Sequence, residues 1–307
     1  MVHQCCRPAI CTHSLGRHYA GHDLKTKLQA AAAHGFSGIE LIFEDLNALA
    51  SRLRSRSDHE KALEKAKLWF QLAHALGTDL ILISSSMLPA SECTSDLPTI
   101  IRDMTQLADL AREQDPKPIR LAYENLAWGT RIDTWEGVHA VVSAVNRWNF
   151  GYCFDTFNIS GRWYGDPASD NGKTADGEMV LADSLKKMVE SVDVEKILLI
   201  QVADAERVPP PISPEQNEQT GQPTRMNWSR NARVFAFEEE RGGYLPILDV
   251  CKAFFDGLGY RGWVSFEVFS RTLEETGPRV VEEHATRAER SWGKLVEAFP
   301  QIAAKPQ

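Results

Sequence analysis

Apolar residues along the chain follow two alternating rhythms: short unbroken runs and longer stretches at helical spacing. The run over 9–13 reads as a strand. Asp23 opens a helix with Leu24, Leu28, Ala31 and Ala32 on one face, and Gly35 stops it. A second strand is expected over 38–43. Ala62, Leu63, Ala66, Phe70 and Ala73 then form the stripe of a helix over 58–76, ended by Gly77. Leu80-Ile81-Leu82-Ile83 has the continuous apolar character of a buried strand. Ile100, Ile101, Met104, Leu107, Ala108 and Ala111 mark the next helix, which exits through Asp115-Pro116-Lys117-Pro118.

The alternation continues to the end of the chain. Strands are expected over 120–124, 151–155, 196–202 and 263–268, and helices over 180–192, 246–258 and 277–299. Asp133 and Glu136 have capping-box spacing ahead of a helix carrying Val138, Val141, Val142 and Val145. Strands alternating with helices predict parallel pairing through right-handed crossovers. The pattern therefore predicts a TIM-type (β/α) barrel, formed as one domain over 1–307. No GxGxxG or P-loop follows any strand, which disfavours a nucleotide-binding doubly wound sheet.

Two stretches depart from the rhythm. The pattern supplies seven strands where the barrel class has eight, and the gap falls between 44 and 57, which hold no apolar run. A barrel lacking one strand–helix unit there is expected to retain any metal site on its later strands and to have its turnover reduced or absent. The second departure is a polar, Pro-rich loop over about 208–243, with Pro209, Pro210, Pro211, Pro214 and Pro223. It reads as a surface loop or as a lid over a site.

The net charge of -8 argues against a nucleic-acid partner, though local arginines can still recruit a small anionic substrate. None of the six cysteines forms a CxxC pair, so reduced thiols are expected. The chain shows no signal-peptide pattern and no apolar stretch long enough to span a bilayer. A cytoplasmic protein without membrane contact is the expectation; the oligomeric state is left open.

Glu124, Asp155, Gln201 and Glu267 each lie at the C-terminal end of an apolar run. A lone carboxylate there is expensive to bury and is usually a satisfied structural group. Four oxygen-bearing side chains at matching positions converge in a barrel, because C-terminal strand ends share one mouth. Three carboxylates and an amide form a hard, all-oxygen set suited to Mg²⁺ or Mn²⁺. The competing reading is an Arg–carboxylate network beneath the loops.

At these residues the chain resembles the xylose isomerase-like barrel superfamily, and within it the fungal 3-dehydroshikimate dehydratases of quinate catabolism. The resemblance rests on Ser14-Leu15-Gly16-Arg17 with Ala20-Gly21-His22, and on Gly35-Phe36-Ser37-Gly38-Ile39-Glu40-Leu41 with Glu44-Asp45-Leu46. Tyr123-Glu124-Asn125-Leu126-Ala127-Trp128-Gly129 and Phe154-Asp155-Thr156-Phe157-Asn158-Ile159 complete it. It implies that Glu124, Asp155, Gln201 and Glu267 bind the metal. It also implies a lyase that removes water from 3-dehydroshikimate to give protocatechuate. His13, His18 and Glu40 are the candidates for proton transfer. Arg17 and Arg207 are candidates for the substrate carboxylate, Trp128 for a pocket wall, and Asn158 for a substrate contact. Many superfamily relatives carry a His at the position of Asn158, and Asn cannot take a proton. Competing readings are a sugar isomerase or epimerase of the same superfamily, and a truncated, inactive barrel with a regulatory or binding role.

Overall fold

The computed structural model describes residues 5–42, 58–213, 218, 219 and 221–303. In chain order the strands are β1 (Arg7–Cys11), β2 (Gly38–Glu40), β3 (Leu80–Ser84), β4 (Arg120–Glu124), β5 (Phe150–Asp155), β6 (Ile197–Val202), β7 (Asp204–Ala205), β8 (Arg233–Val234) and β9 (Trp263–Phe266). The helices are α1 (Leu24–Ala33), α2 (Asp58–Ala75), α3 (Leu97–Arg112), α4 (Trp135–Val145), α5 (Thr156–Trp163), α6 (Gly177–Ser191), α7 (Thr224–Ala232), α8 (Ile247–Lys252) and α9 (Val280–Ala298).

The described residues fall into two compact units. The first is drawn from Met1–Ala50, Asp155–Val194 and Leu199–Gln307, the second from Ser51–Phe154 and Glu195–Leu198. In the first unit β2, β1, β9 and β6 lie side by side in that order, all parallel. Ala9 faces Gly38, Pro8 faces Val264, and Gln201 faces Ser265. Ile10, Ile200, Val264 and Phe266 have no exposed surface, as expected of strands covered on both faces. In the second unit β3, β4 and β5 are parallel neighbours, with Leu80 opposite Arg120 and Leu121 opposite Phe150. Gly151 is dictated by close approach: a Cβ there would lie 2.0 Å from the Lys196 carbonyl oxygen.

Capping explains several helix starts. Asp23 accepts from the Thr26 N–H at 3.1 Å and Asp96 from the Thr99 N–H at 3.0 Å. The expected capping box at Asp133 gives way to Thr134, whose hydroxyl accepts from the Gly137 N–H at 3.1 Å. Strand ends are also shifted from the sequence expectation. β1 stops at Cys11, and a 3-10 turn over Thr12–Leu15 carries His13 off the strand.

Among the described residues, seven parallel strands match the seven that the apolar pattern predicts. The expected missing strand–helix unit at 44–57 lies outside the described residues. The 208–243 stretch differs from its reading as one long loop, since it holds α7, β8 and a 3-10 turn at Glu239–Arg241. Trp228 accounts for α7: it is buried against Phe157 and donates its indole N–H to the Glu206 carbonyl at 2.9 Å. No helix among the described residues is long and apolar enough to cross a membrane.

Candidate functional site

Asp155 closes β5 and caps α5. Its Oδ1 accepts from the Phe157 N–H at 2.8 Å, and its Oδ2 accepts from Asn158 Nδ2 at 2.9 Å. Glu267 lies one residue beyond β9, where Ser14 fixes the backbone on both sides. The Ser14 hydroxyl donates towards the Phe266 and Val268 carbonyls at 3.0 and 3.2 Å and accepts from the Val268 N–H at 2.7 Å. Gln201 of β6 donates its Nε2 to Glu40 Oε1 at 2.7 Å, and Ser265 of β9 donates its hydroxyl to Glu40 Oε2, also at 2.7 Å. Glu40 ends β2 in register with Cys11. Cys11, Glu40 and Glu267 present ligand atoms that all lie within 4.8 Å of one another.

Arg233 ties this cluster together. Its Nη1 donates to Asp155 Oδ2 at 2.8 Å, to Glu267 Oε2 at 3.1 Å and to the Glu267 carbonyl at 3.2 Å. Its Nε donates to Ser229, and its guanidinium stacks on the Phe157 ring at 4.1 Å. Arg233 and Asp155 are fully buried. Burial pushes the Glu40 carboxyl up to about 7. Burial also raises Asp155, against the opposing pull of Arg233. Glu267 is driven well above the usual carboxylate range by burial first and by the Glu40 charge second. With all three carboxylates ionised, Arg233 is the one cation paired with them among the described residues, which leaves a surplus of two negative charges.

The residues singled out from sequence occupy different settings in the structure. Asp155, Gln201, Glu267 and Glu40 come together through the contacts above. Asn158 is engaged with Asp155 as an orienting partner. His13 and Arg17 are buried and bonded to each other, Arg17 Nη1 to His13 Nδ1 at 2.8 Å. Arg has no acceptor, so this contact places the proton of a neutral His13 on Nε2. His18 is exposed on the following 3-10 turn and Arg207 is exposed with its stem beside Gly172; neither bonds the acidic cluster. Glu124 ends β4 in the second unit and is buried there. Trp128, in the same unit, is half-buried, and its indole N–H has no hydrogen-bond partner among the described residues.

Arg233, Ser265 and Cys11 were not singled out from sequence. Arg233 carries no distinguishing signal, because it lies on a two-residue strand inside a polar stretch. Ser265 does have one: it is a hydroxyl in the middle of an otherwise apolar strand, two residues before Glu267.

The xylose isomerase-like TIM barrel family model matches residues 53–295. A 3-dehydroshikimate dehydratase of Neurospora crassa is 41% identical over 335 residues, covering 94% of this chain and 93% of that protein. A solved xylose isomerase-like TIM barrel/4-hydroxyphenylpyruvate dioxygenase fusion protein superposes with a TM-score of 0.72 at 24% identity. That match covers 97% of this chain, which spans only 44% of the fusion protein. The IolI protein, solved with a bound zinc atom, gives a TM-score of 0.69 at 16% identity over 95% of this chain and 99% of its own. The chain belongs to the xylose isomerase-like TIM barrel family and, within it, groups with the fungal 3-dehydroshikimate dehydratase.

Proposed function

We propose that this chain is a metal-dependent 3-dehydroshikimate dehydratase, releasing water and protocatechuate. The observation that carries the metal assignment is the charge imbalance of the acidic cluster: half-buried Glu40 with buried Asp155 and Glu267, against the one guanidinium, Arg233, paired with them among the described residues. A divalent cation removes that imbalance without protonating any carboxyl. The donor chemistry fits as well. Asp155 and Glu267 offer carboxylate oxygens, and Gln201, with its amide nitrogen turned to Glu40, has its carbonyl oxygen as the ligating atom. Glu124 is the fourth ligand that the sequence implies. An all-oxygen set of this kind suits Mg²⁺ or Mn²⁺. The zinc bound by IolI is consistent with a divalent ion on this fold.

When bound, the ion supplies Lewis acidity that favours negative charge on the ring ketone oxygen. The remaining work falls to side chains. Glu40, fixed by Ser265 and Gln201, is the carboxylate of the cluster left over from the metal set, and it takes the proton from the ring carbon beside the ketone. Electrons from that C–H bond form a ring double bond as the C–O bond to the neighbouring hydroxyl breaks. The hydroxyl leaves as water with the abstracted proton, and transfer of a further ring proton to the ketone oxygen yields the aromatic product. His13 presents a neutral Nε2–H as a hydrogen-bond donor rather than a base. The substrate is a small anion and the enzyme is proposed to be cytoplasmic.

Incubation with 3-dehydroshikimate and Mn²⁺ or Mg²⁺, followed through the ultraviolet absorbance of the aromatic product, tests this reading. Metal-dependent growth of that absorbance is expected. No product at any metal concentration, from protein whose fold is intact, rules out the dehydratase assignment.

A further inference from the structure

Three arginines are buried among the described residues: Arg17, Arg233 and Arg287. Arg233 is paired with Asp155 and Glu267, and Arg287 with Glu238. Arg17 is the exception. It is only 8% exposed, yet its partners are neutral: His13 Nδ1 at 2.8 Å and the Arg230 carbonyl at 3.3 Å. Its Nε–H is buried without a hydrogen-bond partner, and no carboxylate among the described residues lies within ion-pair distance. A buried guanidinium without an anion is expensive, and so is an unmade hydrogen bond at one of its N–H groups. Natural sequences keep such a group when the missing anion is a ligand.

The backbone holds Arg17 firmly in place. Gly16 precedes it with φ +119, where a Cβ would come within 2.5 Å of the His22 ring. The Arg17 N–H donates to the Leu273 carbonyl at 2.8 Å, and Ser14 fastens the same turn to Phe266 and Val268. The guanidinium is therefore pre-organised, at a point set by the end of β9. Its surroundings connect it to the acidic cluster. The Phe269 ring lies 5.4 Å from the Arg17 guanidinium carbon and 5.2 Å from that of Arg233. The same aromatic ring thus neighbours both the Arg17 guanidinium and the arginine of the acidic cluster.

We propose that Arg17 binds the carboxylate of a ring-acid ligand through its unpaired Nε edge, and so makes the site selective for acids over neutral rings. This deepens the dehydratase reading and rests on it for the identity of the ligand. The Nε and Nη hydrogens of a guanidinium form a planar fork that matches a carboxylate in two parallel bonds, which a lysine ammonium cannot reproduce. Neutral sugars handled on the same fold have no group requiring such a fork.

The test compares protocatechuate with catechol, which lacks only the carboxylate, by calorimetry on the Mn²⁺-supplemented full chain. Wild type is expected to bind protocatechuate roughly tenfold or more tightly than catechol, the ratio of a charge-assisted bidentate contact. Arg17→Met is expected to abolish the preference while leaving Mn²⁺ affinity unchanged, and Arg17→Lys to keep only part of it. The ligand-free melting temperature of Arg17→Met should not fall below that of wild type, because an uncompensated buried charge is removed. Arg17→Gln, which keeps a donor for His13, gives the same comparison if the Met variant does not fold. An undiminished preference in these variants, or equal affinities in wild type, overturns the proposal. Arg17-dependent preference without turnover of 3-dehydroshikimate sinks the dehydratase reading alone; turnover with an unchanged preference in Arg17→Met sinks this inference alone.

Discussion

Two buried ionic clusters in the first unit show opposite designs. Glu238 accepts from Arg287 Nε and Nη2, both at 2.7 Å, and from the Phe235 N–H at 3.0 Å. Arg287 supplies the close, two-bond partner, the more exposed Arg241 adds a second guanidinium at 3.6 Å, and the Arg287 guanidinium lies 5.1 Å from the Phe235 ring. The Glu238 charge is thus fully met by protein cations. The Asp155–Glu267–Glu40 cluster has one arginine among the described residues, and it serves more carboxylates than it can neutralise. Both are expensive to desolvate, so the difference lies in what finishes them. The first is finished by its own protein partners and reads as architecture; the second is proposed to be finished by a cation from outside.

Replacing members of each cluster separates the two designs. The largest effect is expected at Glu267→Gln, which removes a proposed ligand and one surplus charge. Its turnover should fall roughly 10³-fold or more, while circular dichroism and the unfolding midpoint of metal-free protein stay close to wild type. Arg287→Met should do the reverse. It leaves the buried Glu238 carboxylate with only the more distant, more exposed Arg241 and should cost about 3 kcal/mol in urea unfolding, with Mn²⁺ affinity unchanged. Replacing Glu238 and Arg287 together by apolar residues should recover much of that loss, since neither charge is then left alone.

A smaller effect involves His284, beside Arg287. Its Nδ1 faces the Val280 carbonyl at 2.8 Å and its Nε2 faces the Thr272 hydroxyl at 3.0 Å. Burial, assisted by the Arg287 charge, lowers its pKa from 6.5 to about 4. The unfolded chain therefore takes up a proton in the window between about 4 and 6.5 that the folded chain refuses. The stabilisation is complete above about pH 6.5 and is lost as pH falls through the folded value. The window corresponds to at most ~3.5 kcal/mol, at about 1.4 kcal/mol per pKa unit. His284→Gln should flatten that part of the stability–pH curve, measured by denaturant unfolding between pH 4 and 7. An unchanged slope would show that His284 is not held neutral.

Much of this contrast was legible in the sequence, and the rest was hidden for physical reasons. Asp155, Gln201 and Glu267 stood out because an oxygen ligand at the end of an apolar run breaks a strong pattern. Their gathering followed from parallel topology alone. The helix α5 was missed because Asn158, Ser160 and Gly161 are poor helix formers. It forms because Asp155 caps it and because Gly161 lets Trp228 approach, with a Cβ there only 3.1 Å from the indole. Arg233 and Arg287 were invisible because a buried arginine has the same letter as a surface one, and pairing across 78 or 49 positions leaves no local trace. The exposed positions of His18 and Arg207 were equally unreadable, since proximity to a strand end in sequence does not fix which way a turn leaves the strand.

The claim that the acidic cluster is finished by a divalent cation is tested most directly by titrating chelator-treated protein with Mn²⁺ in weakly buffered solution, reading bound metal and released protons together. Burial raises Glu40, Asp155 and Glu267, so carboxyls of the metal-free cluster hold protons that a cation must displace. The account predicts one Mn²⁺ bound per chain with proton release near pH 6, and weakening of both in Glu267→Gln but not in Arg287→Met. Saturable binding that is untouched by Glu267→Gln, or no binding at all, would contradict it.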